Sequence, residues 1–339
     1  MRLLQTLLSM LILLTACKRG EQREVRAAEA QLPPSDEEMI SIPADASPEA
    51  VLNAVDIGLQ LERRRQAALT GGRVISNGPD DYRFVVVRAG DRHGTAYREN
   101  MFHVLVGAGI KIPAGSMRIR REWGVSGKID GNNEQPQTCG ISVAVEAGAS
   151  QPFAPEVERA AATLCRALAQ RIDLHPDCVL AMGEIPYTNE YSGDASERQL
   201  AAKARAHVPT PEVDGVLTIV SGERRIPVEF EVRDSTSGIR VGMMLRKSFD
   251  GEDRGMLFRY KHRSVRRFWN KNVFIPIDLA YIGEGVIEQI VTMKPEAGVP
   301  QNEIPFYESV TPVRLALEMP GGWFAKRGIR AGDRAEIPE

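Results

Sequence analysis

From residue 213 onward the chain is cut into short β-type runs, at 216–220, 226–232, 256–260, 273–279, 285–293 and 313–319, separated by Gly, Pro, Asp and Asn. Evenly spaced short strands with little helical pattern between them are expected to close into a compact barrel or sandwich. The preceding part of the chain reads differently. Buried-strand runs at 84–87, 102–106, 141–145 and 179–182 surround a stretch in which Val157, Ala160, Ala161, Leu164, Cys165, Leu168 and Ile172 recur at helical spacing after Pro155-Glu156. A helix with that stripe covers one face of a sheet made from those runs. The expected fold is therefore an α/β domain, a mixed sheet with helices, followed by a separate mainly-β barrel or sandwich domain.

The boundaries follow from composition. Residues 18–46 are rich in Glu, Arg, Ala and Pro with little apolar pattern and read as a flexible tether. Ser47 is placed to cap a helix with Pro48 at its first position and Val51, Leu52, Val55 and Leu59 on one face. Glu62-Arg63-Arg64-Arg65-Gln66 ends it in a basic turn that suits the negative helix terminus. The α/β domain then spans 47–195. An alanine-rich charged piece leads into His207-Val208-Pro209-Thr210-Pro211-Glu212, whose alternate prolines read as a linker over 196–212. The β domain spans 213–339.

The N-terminus sets the expected compartment. Arg2 precedes an apolar run from Leu3 to Leu14 and the tetrad Leu14-Thr15-Ala16-Cys17. A basic start, about a dozen apolar residues and a small-residue site make a secretory signal, because a spanning helix needs about 20 residues. The ending resembles a bacterial lipobox, which implies lipidation of Cys17 and processing of residues 1–17. Lys18 follows where an aspartate favours inner-membrane retention, so the expected location is the cell envelope, facing the periplasm, with the outer membrane as the destination. The membrane is then met only through the lipid.

The 339 residues, 43% hydrophobic and 26% charged, give room for two domains with cores of useful size. A formal net charge of −2 argues against nucleic acid as the main partner. Cys139, Cys165 and Cys178 remain after lipidation, so one internal bridge at most leaves one thiol over. Cys165 lies on the apolar helix stripe and reads as core.

Between Arg83 and Tyr191 the runs come in a telling order. Phe84-Val85-Val86-Val87-Arg88 is followed by Met101-Phe102-His103-Val104-Leu105-Val106-Gly107-Ala108-Gly109 and Glu122-Trp123. Cys139-Gly140-Ile141-Ser142-Val143-Ala144-Val145 and Val179-Leu180-Ala181-Met182-Gly183-Glu184-Ile185-Pro186-Tyr187-Thr188 complete it. This order resembles the N-acetylmuramoyl-L-alanine amidase and peptidoglycan-recognition family over roughly 110 residues. The resemblance implies a zinc site of two histidines and a third ligand, with an open position for the hydrolytic water. Here those positions fall on Arg88, Lys128, and Tyr191 or Glu190. Arginine has no lone pair to give a metal and carries a fixed charge. The family's assisting tyrosine corresponds to Phe102, and the histidine of its H-R-E-V motif to Met182. The five histidines stand at 93, 103, 175, 207 and 262. His93 could serve as a displaced ligand, and His103 matches a family histidine that is not one.

A second resemblance covers the β domain. Gly242-Met243-Met244-Leu245-Arg246, Gly255-Met256-Leu257-Phe258, Phe268-Trp269-Asn270-Lys271-Asn272, Ile275-Pro276-Ile277-Asp278-Leu279, Leu317-Glu318-Met319-Pro320-Gly321-Gly322 and Gly328-Ile329-Arg330-Ala331-Gly332-Asp333 occur in order. Together they resemble domain-of-unknown-function family 192, with Asn270 and Val273 departing from its pattern. Arg246, Trp269, Lys271, Asn272 and Asp278 could line a pocket for a small polar ligand or peptide. The alternative is structural, with arginine and aspartate as a satisfied ion pair.

Three functions follow for the α/β domain. In the first, chosen here as the expectation, metal and cofactor are gone, no residue is catalytic, and the groove binds peptidoglycan or muropeptides through Arg88, His103, Trp123, Lys128, Glu184 and Tyr191. Its cations would pair with stem-peptide carboxylates. The second is a working amidase with displaced ligands, His93 with Glu184 and Glu190. The third is a scaffold that presents the β domain to a protein partner.

Overall fold

The computed structural model describes residues 39–59, 84–90, 103–109, 112–120, 140–148, 152–172, 174–185 and 195–338. The first part is a six-stranded sheet: β1 (Met39–Ile42), β2 (Phe84–Gly90), β3 (Val104–Val106), β4 (Met117–Arg120), β5 (Gly140–Gly148) and β6 (Val179–Ala181). Their order is β1-β4-β3-β5-β2-β6. β3, β5, β2 and β6 run parallel, and β4 and β1 close one side antiparallel. Parallel strands are covered on both faces, which is why Phe84–Val87 and Ile141–Val145 read as continuous apolar runs. All of those residues are buried.

Among the described residues, three α-helices complete this layer. α1 (Pro48–Gly58) starts as its sequence dictates: the Ser47 hydroxyl accepts the Ala50 N–H at 3.2 Å and Pro48 occupies the first turn. Val51, Val55 and Leu59 are buried and Leu52 is half-buried. α1 stops at Gly58; the expected basic turn at 62–66 lies outside the described residues. α2 (Pro155–Ala169) buries the predicted stripe, with Glu156 and Glu158 in its first turn and Arg166 in its last, complementing the helix dipole. α3 (Ala195–Arg205) packs against β6 and α2.

Two expected boundaries need correction. The tether drawn over 18–46 includes β1, because Met39 and Ile42 find buried sites while the strand pairs β4 from Met39 opposite Arg120 to Ile42 opposite Met117. The linker drawn over 196–212 includes most of α3. Leu200, Ala201 and Ala204 on that helix are buried in the α/β core, and so is Val208 beyond it. Alanine lets a helix approach a sheet closely, so a composition that reads as solvated supplies a packing face.

The second part is a closed seven-stranded barrel. Its elements are β7 (Gly215–Ser221), β8 (Arg224–Arg233), α4 (Thr236–Val241), β9 (Arg254–Ser264), β10 (Arg267–Phe268), β11 (Ile277–Gly283), β12 (Val286–Met293), β13 (Tyr307–Glu308), β14 (Val313–Pro320), α5 (Trp323–Lys326) and β15 (Arg334–Glu336). The ring runs β11-β12-β15-β7-β8-β9-β14, and β10 pairs with β13 outside it. Closure leaves the ring without a free edge. Alternate positions, among them Leu217, Val228, Leu257, Ala280 and Leu317, line one continuous core with Trp323 and Phe324. The opposite face of β9, β14 and β11 is also buried, under Met243, Phe249, Phe268 and Val273.

That second cover has a topological cause. β8 and β9 are parallel neighbours, whereas the other ring pairs are antiparallel. A parallel pair needs a crossover connection of a dozen or more residues. Residues 234–253 supply it and lie between the barrel and the α/β layer. Met243 packs toward the barrel, whereas Val241, Met244 and Leu245 belong to the core of the α/β domain.

Candidate functional site

Two places concentrate chemistry, the carboxyl edge of the parallel strands and the crossover. At the edge, Arg88 of β2 is in register with Ala144 of β5, which pairs with Leu105 of β3. Ligands of parallel α/β sheets bind outside the carboxyl ends of strands, and Arg88 lies two residues before the end of β2. Two carboxylates nearby already have partners. Glu146, at the end of β5, is buried and accepts the Ile112 N–H at 3.2 Å and the Ala108 N–H at 3.3 Å, which fixes the loop between β3 and β4. Glu184 accepts the Ala181 N–H at 2.7 Å and pairs with Arg205 at 2.9 Å. Arg205 also donates to the Val179 carbonyl at 2.8 and 3.0 Å, binding α3 to β6.

His103 sits in the sheet two residues upstream of the row that holds Arg88. Its Nδ1 accepts the Ser142 N–H at 2.9 Å while the His103 backbone N–H donates to the Ser142 carbonyl at 2.9 Å. It is a buried spacer between β3 and β5. His93, Trp123, Lys128, Glu190 and Tyr191 lie outside the described residues, as do Cys17 and Cys139. Cys165 and Cys178 are buried thiols, and burial pushes the Cys165 thiol up to about 12, which leaves it unreactive.

The crossover site centres on Glu231 of β8. Arg246 grips it with both guanidinium nitrogens at 2.8 and 2.9 Å, Arg254 donates at 2.8 Å and Arg233 at 2.9 Å. Burial alone would raise the Glu231 carboxyl. The Arg246 hydrogen bonds and the charges of Arg246, Arg233 and Arg254 outweigh it and hold the group at about 2. Arg246 extends the network to Asp250 at 2.8 Å, and Asp250 meets His175 of the α/β domain, also at 2.8 Å. Two residues on, the Asp177 carboxylate accepts the Lys247 N–H at 2.8 Å. A chain of charge thus runs from the barrel wall through the crossover into the first domain.

Glu318 of β14 lies on the other side of the same strand, since Met256 of β9 is in register with both Glu231 and Glu318. Burial pushes its carboxyl up to about 8 against the pull of Arg233 and Arg246. Its Oε2 has no hydrogen-bond partner among the described residues.

Each of the five barrel residues expected to share a pocket makes a contact within the fold. Arg246 is buried in the Glu231 network. Asp278 accepts the Thr292 hydroxyl at 2.7 Å and the Phe324 N–H at 3.4 Å, which seats α5. Asn272 is buried in a left-handed conformation, φ +57°, and its carbonyl accepts the Leu245 N–H at 2.9 Å, tying the crossover down. Lys271 is buried with its Nζ 5.2 Å from the Trp269 ring, and Trp269 stacks on Phe306. A cleft of about 580 Å³ does exist, but it lies between the domains, lined by Ile172, Leu174, Pro209–Glu212 and Glu231–Ser235. None of the five lines it.

Residues 217–337 match the family model DUF192, described as Uncharacterized ACR, COG1430. The C-terminal barrel is a DUF192 domain. Two crystal structures resemble part of the chain. One is a candidate transcription regulator from Sinorhizobium meliloti 1021, 28% identical, covering 36% of this chain and 91% of that one with a TM-score of 0.32. The other is a protein of unknown function from Novosphingobium aromaticivorans DSM 12444, 25% identical, covering 36% and 84% with a TM-score of 0.32. No curated protein matches the chain.

Within the DUF192 domain, sequence reasoning singled out Arg246 but missed Glu231, Arg233, Arg254, Asp250 and, across the junction, His175. One local signal was available: Asp250 stands four residues after Arg246, a spacing that allows a pair. Nothing local marks Glu231, because its three arginines arrive from β8 itself, the crossover and β9.

Proposed function

We propose that the protein is an anchored envelope protein whose α/β domain, amidase-like in outline, binds peptidoglycan stem peptides without hydrolysing them, while the DUF192 barrel is held against it. The observation that carries this reading is the chemistry of the strand edge. A fixed cation, Arg88, lies two residues before the carboxyl end of the inner parallel strand β2, and the carboxylates Glu146 and Glu184 are held by backbone N–H groups or by Arg205. The donor set does not fit zinc. Arginine offers no lone pair, and Glu184, one member of the displaced-ligand alternative, is tied to Arg205 and the Ala181 N–H. An edge of that kind suits a carboxylate ligand, since guanidinium and carboxylate form paired, charge-assisted hydrogen bonds.

Sedimentation with purified, lipid-free sacculi tests the reading. The full chain is expected to pellet with them, and Arg88→Glu to lose most of that binding while retaining the wild-type melting temperature. No pelleting of the wild type overturns the proposal. It would leave the scaffold reading, which the packing of Val241, Met244 and Leu245 into the α/β core favours.

A further inference from the structure

The DUF192 barrel carries a surface feature on the far end of β9 that neither the strand edge nor the domain junction uses. From the end of β9 into β10 the chain reads Arg259-Tyr260-Lys261-His262-Arg263-Ser264-Val265-Arg266-Arg267, five Lys or Arg with no Asp or Glu. The last four residues of β9 are exposed. Alongside, Arg267 pairs with Glu308 in the β10–β13 register, and the Ser309 N–H donates to the Arg266 carbonyl at 2.9 Å, so Val265 and Val310 flank a bonded pair in sequence. These apolar side chains are at least half exposed: Val310 is 72% exposed and Val265 and Phe306 are 50% exposed each.

The charges on this tip are only partly balanced. Arg267 is paired with Glu308 and Arg263 with Glu284. Arg266 lies over the Tyr260 ring at 3.7 Å, and Arg314 donates to the Tyr260 carbonyl. The result is a cluster of exposed aliphatic and aromatic groups flanked by cations, of which Arg259 and Lys261 are without an ion-pair partner among the described residues.

We infer that this tip docks on an anionic phospholipid surface, with Val265, Val310 and Phe306 entering the headgroup layer and the surrounding cations meeting lipid phosphates. Apolar groups flanked by Lys and Arg gain from both halves of such an interface, whereas a purely aqueous polyanion rewards only the charges. Nucleic acid is the rival polyanion, and the aromatic geometry disfavours it. Phe306 has Arg267 over its ring at 4.3 Å and stacks on Trp269 at 5.6 Å, and the Lys271 Nζ approaches Trp269. Those faces are already in contact, where a base would need one free to stack on. Valines give a base nothing to recognise. The inference does not rest on peptidoglycan binding, because vesicles contain no glycan and sacculi no lipid.

Flotation with vesicles tests it, using the full chain carrying Cys17→Ser so that no acyl chain contributes. Arg2, Lys18 and Arg19 flank the apolar run at 3–14 and also favour anionic lipid, so the tip is read from the change its own substitutions make in the contrast between phosphatidylcholine vesicles and vesicles containing phosphatidylglycerol. Tighter binding to the anionic vesicles is expected. Lys261→Glu should weaken it at least about fivefold, the weight of one cation near a charged bilayer. Val310→Ser should weaken it about threefold or more, and neither exposed substitution should move the melting temperature. Equal flotation with both vesicle types overturns the inference, as does unchanged flotation of either variant. Tighter retention on a single-stranded oligonucleotide than on vesicles, lost in Lys261→Glu, overturns it too and assigns the tip to nucleic acid.

Discussion

His175 Nε2 and Asp250 Oδ2 meet at 2.8 Å across the junction between the α/β domain and the barrel, while the Asp177 N–H donates to His175 Nδ1 at 3.0 Å. An amide donor at Nδ1 fixes that nitrogen as an acceptor, so Nε2 carries the proton and donates it to Asp250. The ring is neutral by construction. A second proton would point at the Asp177 amide, with Arg246 close behind Asp250.

Acid should therefore loosen the junction before it unfolds the barrel. Burial and the Arg246 charge lower the His175 pKa from its ordinary 6.5, outweighing Asp250 and Asp177. A lowered histidine pKa means that the unfolded chain binds the proton first. The contribution is then fully present above about pH 6.5 and lost progressively below it. The wild-type melting temperature is expected to fall between pH 7 and about pH 5, and His175→Gln to flatten that fall. Parallel pH curves for the two proteins would remove His175 as the cause.

Arg246→Met should be among the costliest single changes in the chain. It strips Glu231 of its two-pronged partner and leaves Asp250 with His175 and Ser248 alone. Breaking a buried ion pair by removing one partner costs about 3–5 kcal/mol. Arg246→Lys keeps the charge without the fork and should recover only part of that loss. Urea denaturation at neutral pH measures both, and a loss below about 1 kcal/mol for Arg246→Met would mean that Arg233 and Arg254 suffice for Glu231.

The elements written in local pattern could be read from the chain: α1 from Ser47-Pro48, α2 from its stripe, the barrel from its evenly spaced runs. β1 and α3 could not, because four residues at the end of a polar stretch and an alanine-rich helix become packing elements only once a sheet exists to receive them. The barrel's polar residues show the same limit more sharply. Arg246 and Asp278 read equally well as pocket or as structure in sequence. Deciding between them needs the register that puts Glu231 beside Met256, and Thr292 opposite Asp278. A charge network assembled from β8, the crossover, β9 and a loop of another domain leaves no spacing to find.

Gly255 illustrates a glycine required by close approach. It opens the Gly255-Met256-Leu257-Phe258 run in β9, where a β-carbon would lie 2.4 Å from the Met319 sulfur and 2.7 Å from the Glu318 carbonyl oxygen. The methionine can swing away, but the neighbouring strand's carbonyl cannot without disturbing the barrel. Gly255→Ala should cost about 1–3 kcal/mol, the usual range for overpacking, and read out as a lower urea midpoint at unchanged slope. A midpoint equal to that of the wild type would mean that β14 yields at this point.

Glu318 should make the barrel less stable as pH rises, opposite in sign to His175. Its carboxyl is raised from 4.5 to about 8 by burial, so the folded state holds a proton that the unfolded state gives up. The contribution is fully present below about pH 4.5 and lost as pH climbs toward 8. Glu318→Gln preserves shape and neutrality and cannot ionise. At pH 5 the variant should lie within about 1 kcal/mol of the wild type, since one partnerless polar atom replaces another. Toward pH 9 it should become the more stable of the two. Melting curves of both proteins at the two pH values decide the matter: a constant difference between them would show that Glu318 is ionised within the fold, paired with the charge of Arg233 or Arg246.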